Sequence, residues 1–173
     1  SEIISKLDVF SNFAAISKQN NYIKPIINDS KNLQINNSRH PMVEKIIESG
    51  KFVPNDVFID DLSEQIILLT GPNMSGKSTY IRQIGILVLM AQIGCYISAS
   101  SAEIGIVDRI FTRVGLEDDL SEGRSTFMTE MLETSLILNE ASDRSLIILD
   151  EIGRGTSTYD GLAIAMSVAE YIH

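Results

Sequence analysis

The segment Gly71-Pro-Asn-Met-Ser-Gly-Lys-Ser78 constrains this chain more than any other feature, because it fixes two glycines, a lysine and a hydroxyl at the spacing G-x-x-x-x-G-K-[ST]. The run before it, Gln-Ile-Ile-Leu-Leu-Thr over 65–70, is short, apolar and β-branched, as in a strand covered on both faces inside a parallel sheet. After it, residues 77–93 repeat apolar side chains at Ile81, Ile84, Leu87 or Val88, and Ala91, then stop at Gly94, as a helix does. A strand, a glycine loop and a helix in that order make a phosphate cradle. The glycines let main-chain N–H groups turn inward where a Cβ would obstruct them. Lys77 supplies a mobile positive charge for β- and γ-phosphates, Ser78 a hydroxyl for Mg²⁺, and the helix directs its positive end at the same anion.

A second segment, Leu146-Ile-Ile-Leu-Asp150-Glu151, is an apolar strand ending in two carboxylates at the end of the sheet where open α/β folds bind ligands. Asp150 would hold Mg²⁺ and Glu151 would orient or deprotonate an attacking water. A water-activating carboxylate favours hydrolysis over transfer to a small-molecule acceptor, although a P-loop kinase and a module that keeps nucleotide as a structural ligand remain as alternatives. Ser121-Glu-Gly-Arg-Ser125-Thr-Phe127 precedes a helix and offers glycine, hydroxyls and N–H groups, either as a second anion-binding surface or as an ordinary start with Ser125 or Thr126 as N-cap.

The charge balance limits the partners. Fourteen Lys and Arg against 23 Asp and Glu give a net charge of −9, and the excess is concentrated after residue 70. A surface of that sign repels polyanions and lacks the phosphate-neutralising term of nucleic-acid affinity, so if DNA were a partner, other parts of a larger protein would have to hold it. Cys95 is the only cysteine, which excludes a disulfide framework and suggests a reducing compartment, with cytoplasm as the expectation. No leader or membrane-spanning run is visible. Cys95, His40, Met128 and Met131 read as packing or structural residues, and Mg²⁺ carried with nucleotide is the only metal expected.

The remaining pattern is that of an α/β domain with a mostly parallel sheet flanked by helices, preceded by an N-terminal helix. Ile3, Leu7, Phe10, Ala14 and Ser17 fall on one helical face until Asn20 and Asn21 end it. Residues 21–41, with Pro25, Pro41 and many Asn and Ser, read as an irregular connector holding one short strand near 33–35 and a domain boundary. Strand character returns over 104–114 and 145–149, with helices over 127–141 and 162–172. The last helix has no cap and simply stops at His173, which suggests a cut chain.

Three stretches together, Thr70 to Gln83, Asp118 to Met131 and Leu149 to Gly161, resemble the ATPase domain of the MutS family of DNA mismatch-repair proteins. Arg39-His40-Pro41 is similar to the entry to that domain, and residues 1–38 to the end of the preceding lever helices and their connector, leaving 39–173 as the first part of the ATPase domain. The resemblance implies a P-loop NTPase fold of the ABC-ATPase type. It implies a homodimer in which each ATP lies between the P-loop of one subunit and the signature segment of the other, Ser125 reaching the γ-phosphate in trans. Gly71, Pro72, Asn73, Met74, Ser75, Gly76, Lys77, Ser78 and Thr79 would contact ATP or ADP, and Phe52 would stack on adenine. Ser78 and Asp150 would serve Mg²⁺, with Lys77, Ser125 and Glu151 acting in hydrolysis. Residues 153–158 resemble the loop coupling the two sites, with Arg154 a candidate contact.

It further implies mismatched DNA bound by domains absent here, a MutL-type downstream repair protein, and a bacterial cytoplasmic or nucleoid-associated setting. The chain ends before the family's Thr-His switch and dimerisation helices, so weakened nucleotide binding and poor turnover are expected of this piece alone. The nearest rival is an SMC-like ATPase of chromosome maintenance, whose signature usually reads Leu-Ser-Gly-Gly where this chain has Leu120-Ser-Glu-Gly-Arg-Ser.

Overall fold

The computed structural model describes residues 1–48, 50–72, 74–114 and 126–173. They form two compact units, Ser1–Val107 and Asp108–His173. Residue 38, where the sequence suggests a boundary, lies inside the first unit, at the end of one of its strands.

The first unit opens with α1 (Glu2–Gln19), which Asn20 and the left-handed Asn21 (φ 53°) terminate as the sequence predicts. Most of its apolar side chains are not covered: Ile3, Leu7 and Phe10 are exposed, Phe13 is half-buried, and only Ser17 is buried, its hydroxyl donating to the Phe13 carbonyl at 2.6 Å. Four strands follow: β1 (Ile26–Asn28), β2 (Leu33–Ser38), β3 (Asn55–Ile59) and β4 (Ser101–Gly105), with the short helix α2 (Val43–Ile46) after β2. Their order is β1-β4-β2-β3, β1 parallel to β4 and the other two pairings antiparallel. Where an irregular connector with one short strand near 33–35 is expected, the Asn-rich segment supplies that strand, extended to Ser38, and a second strand, β1, in a mixed sheet.

Alternation in β2 explains that outcome. Leu33, Ile35 and Ser38 are buried while Gln34 and Asn37 face solvent, a one-sided sheet pattern in which polar residues are expected on every second position. The register shifts between Ile35 and Ser38, where Asn37 takes a left-handed φ of 48° suited to its short polar side chain. The buried face is closed by α3 (Lys77–Gln92), whose Ile84, Leu87, Val88 and Ala91 are in the core. Three polar side chains hold this helix to the sheet: the Tyr80 hydroxyl donates to the Asp56 carbonyl (2.8 Å), Gln83 Nε2 to Ser38 Oγ (2.6 Å) and Gln92 Nε2 to the Gly105 carbonyl (3.4 Å).

The run 65–70 departs from its expectation. It forms no strand, and Ile66, Ile67 and Leu68 are exposed, Leu68 at 84%. An unbroken apolar run encodes a tendency to be covered on both faces, not the identity of the strands beside it. The sheet of the first unit is completed by other segments.

The second unit is a strand–helix–strand unit with a further helix. β5 (Ile110–Arg113) runs parallel to β6 (Leu146–Leu149), Ile110 opposite Leu146 and Arg113 opposite Leu149, with α4 (Thr126–Glu140) between them in sequence and α5 (Thr158–Ile172) after. These helices and strands fall within a few residues of their expected positions. Met131 is partly covered, but Met128, expected to pack, is exposed. Asp108 closes the turn into β6 by accepting from Ser142 Oγ (2.6 Å) and Ser145 Oγ (2.9 Å), and the Ser142 bond leads in holding its carboxyl below the usual range.

Candidate functional site

In the first unit the chain enters α3 through an exposed turn in left-handed conformations: Gly71 (φ 144°), Met74 (φ 62°) and Gly76 (φ 92°). A Cβ on Gly76 would meet nothing within 4 Å, so backbone conformation rather than crowding selects glycine there. Gly76 is also the N-cap of a 16-residue helix, and with no side chain it leaves the first-turn N–H groups uncapped; among the described residues no other side chain is seen to accept from them. The Lys77 ammonium donates back to the carbonyls of Gly71 (2.7 Å) and Pro72 (2.8 Å), drawing the turn over the helix start.

Ser75 is exposed, and Ser78 and Thr79 lie half-buried in the first turn. Phe52 is half-buried three residues before β3, the strand to which the Tyr80 hydroxyl attaches α3. Asn73 lies outside the described residues. Uncapped amides, a lysine and no carboxylate between residues 71 and 79 suit a polyphosphate.

In the second unit the ladder between β5 and β6 is extended by the Asp150 amide, which donates to the Arg113 carbonyl at 2.8 Å. The Asp150 side chain is buried at the strand's end. Glu151 follows with φ 59°, a left-handed conformation that costs a non-glycine residue about 1–3 kcal/mol and persists only where its surroundings fix it. Its carboxylate is partly exposed and 3.1 Å from Arg154 Nη1. Among the described residues four non-glycines have positive φ, Asn21, Asn37, Met74 and Glu151. Asparagine tolerates this region; the other two fall on the segments that the sequence singles out for chemistry.

The loop after Glu151 is pinned from behind. The Gly153 amide donates to the Glu130 carboxylate on α4. A Cβ on Gly153 would stand 2.5 Å from the Gly161 Cα, and one on Gly155 would stand 2.8 Å from the Phe127 Cβ, so the loop passes against α5 and the first turn of α4 with room for hydrogen only. Ser157 then caps α5, accepting from the Asp160 amide at 3.3 Å.

Of the expected residues that the structure describes, Phe52 and those within 71–79 lie in the first unit, and Asp150 and Glu151 in the second. Ser125 lies outside the described residues. Sequence reasoning missed Glu130. Its signal is its place on the helical stripe Phe127, Glu130, Met131, Thr134, Ile137, an acid where the period calls for an apolar residue. It is only 2% exposed. His40 is structural, as expected: it is buried, its Nδ1 accepts from the amides of Met42 (3.3 Å) and Val43 (3.4 Å), and burial lowers its pKa. Cys95 is likewise buried, which pushes its thiol pKa up. Among the described residues no helix is long and apolar enough to cross a membrane.

Residues 67–173, which contain the expected site residues except Phe52, match the family described as MutS domain V. The chain belongs to that family. It is 56% identical over 169 residues to the DNA mismatch repair protein MutS of Alkaliphilus oremlandii, covering 98% of this chain and 19% of that protein. The DNA mismatch repair protein MutS of Clostridioides difficile is 58% identical over 169 residues, covering 98% and 18%. The protein of the same name from Protochlamydia amoebophila is 52% identical over 171 residues, covering 99% and 20%. The chain thus spans about a fifth of the length of the curated relatives it matches.

Proposed function

We propose that this chain is the ATP-binding and ATP-hydrolysing part of a MutS-type DNA mismatch-repair protein, in which nucleotide state governs the grip on mismatched DNA held by other domains. The observation that carries the reading is the uncapped start of α3 behind the left-handed Gly76, with the Lys77 ammonium over the same turn. Membership of the MutS domain V family supports it.

In this reading the amides of residues 74–79 bind the phosphates, and Lys77 leaves its carbonyl acceptors for the β- and γ-oxygens. Phe52 stacks on the adenine. By the motif resemblance, Ser78 with its hydroxyl and Asp150 with its carboxylate are the residues that would hold Mg²⁺, and the ion would supply neutralisation of the charge on the phosphates. Glu151 orients the attacking water and accepts its proton, and the products are ADP and phosphate. Ser125 contributes from the second subunit of a homodimer, a role that rests on the motif resemblance, as does engagement of a MutL-type partner. Binding to both subunits favours the closed dimer and loss of the γ-phosphate releases it, a ligand-driven shift between two states.

The test is steady-state ATP hydrolysis by the full-length protein with and without mismatched duplex DNA. Glu151→Gln is expected to retain ATP binding and to lower kcat by about 10²-fold or more, the scale of general-base catalysis. Normal turnover by that variant would remove Glu151 from the chemistry.

A further inference from the structure

We propose that Glu130 is a positioning residue for Glu151: its buried carboxylate fixes the loop behind β6 so that the Glu151 side chain is presented to the attacking water. The proposal rests on the hydrolytic reading of Glu151 above. Glu151 is held in a left-handed conformation by anchors on either side of it. One residue earlier the Asp150 amide is bound to the Arg113 carbonyl on β5, and two residues later the Gly153 amide is bound to Glu130 on α4. The first anchor is ordinary strand pairing. The second uses an ionisable side chain, almost wholly removed from solvent, to hold one main-chain amide.

Core stability alone does not select that residue. The position lies on the covered stripe of α4, where an apolar side chain would bury surface without the desolvation cost of a carboxylate. A carboxylate accepting from a peptide N–H makes a stronger and more directional bond than a neutral acceptor, which suits a loop whose geometry must be fixed. The contacts around it act in the same sense, Gly155 against Phe127 and Gly153 against Gly161. Because Phe127 and Glu130 both belong to the first turns of α4, a displacement of that helix start moves the Gly153 peptide, and with it the backbone of Glu151.

The experiment compares Glu130→Gln, Glu130→Asp, Glu130→Ala and Glu151→Gln in the full-length protein, measuring kcat and KM for ATP, affinity for a nonhydrolysable ATP analogue, and hydrogen exchange at the Gly153 amide. Glu130→Ala and Glu130→Asp, which lose the acceptor or its reach, are expected to lower kcat by roughly tenfold or more, with KM and analogue affinity within about threefold. Their Gly153 amide should exchange faster. Glu130→Gln keeps a neutral oxygen at the same reach and should restore kcat and slow exchange in part, falling between wild type and Glu130→Asp. Should the alanine variant fail to fold, the aspartate variant carries the same comparison.

The proposal is overturned if Glu130→Asp turns over at the wild-type rate while Glu151→Gln is inactive, an outcome that leaves the hydrolytic role of Glu151 standing. It is also overturned if Glu130→Gln is as impaired as Glu130→Asp, or if kcat and analogue affinity fall together, as for a purely structural residue. Normal turnover by Glu151→Gln would remove the hydrolytic reading and this proposal together.

Discussion

The turn before α3 and the loop after β6 carry the two halves of the candidate chemistry and are supported in opposite ways. The turn is exposed, uncapped and held chiefly by the Lys77 ammonium on two carbonyls. The loop is gripped by Glu130, Phe127 and Gly161 through contacts that leave no space for a methyl group. A segment that must wrap an anion needs main-chain donors without internal partners, since any internal cap would compete with the ligand. A segment that must aim a carboxylate needs its backbone fixed in advance, because small errors in direction are costly to proton transfer. Binding elements are left open and aiming elements are locked.

The sharpest way to break this contrast is to add one methyl group to each half. Gly153→Ala meets backbone at 2.5 Å and also demands a φ of 82°, and is expected to destabilise the second unit by about 2–4 kcal/mol. The loss would be read as reduced hydrogen-exchange protection in α4 and α5 with α3 unaffected. Lys77→Ala should loosen the 71–76 turn, leave protection in the helices near its original value, and weaken ATP binding by the full-length protein by about 10- to 100-fold, the worth of one or two charge-assisted hydrogen bonds. Calorimetric titration with ATP would measure it. Gly76→Ala has open space and only the left-handed backbone to oppose it, so the first unit should lose about 1–2 kcal/mol in a urea titration. If the two alanine variants were equally destabilised, the difference in packing between the segments would carry no energetic weight.

The smallest effect concerns the approach to the open half. Asp60 accepts from the amides of Glu64 (2.8 Å), Ser63 (2.7 Å) and Leu62 (3.0 Å), and these bonds, Glu64 first, lower its pKa to about 2. A carboxyl depressed on folding contributes fully above its unfolded value of 3.8 and loses that contribution as pH falls toward 2. The Asp60 carboxyl resonance should therefore titrate near pH 2, and the turn over 60–64 should loosen only in that window. A midpoint near 3.8 would show the turn to be unformed in solution.

The long helices were legible in the sequence because each carries its own period, whereas the four-residue α2 was not. Residues 77–93 announce α3 through Ile84, Leu87 and Ala91, and the same three residues form the core. The glycines of the 71–76 turn and the acidic end of β6 were legible for a related reason, being local patterns with a local conformational requirement. Strand partners were not. β2 is polar on alternate positions and pairs with β4 some 65 residues away, as from Asn36 to Ser101, a relation that no window of sequence contains. Residues 65–70 show the converse, an apolar run whose composition signals burial that the described structure does not provide. Glu130 escaped because an isolated acid on an apolar stripe is informative only once the Gly153 amide beside it is seen.

The bareness of residues 65–70 has a consequence for handling the molecule. Six consecutive uncharged, β-prone residues without proline are the signature of segments that stack into intermolecular fibrils when left uncovered. Asp60, Asp61 and Glu64 stand just upstream as charged gatekeepers, while the downstream side has no charge until Lys77. Where this stretch stays uncovered, it is the expected site of adhesion between chains, and shielding it should favour dispersed molecules.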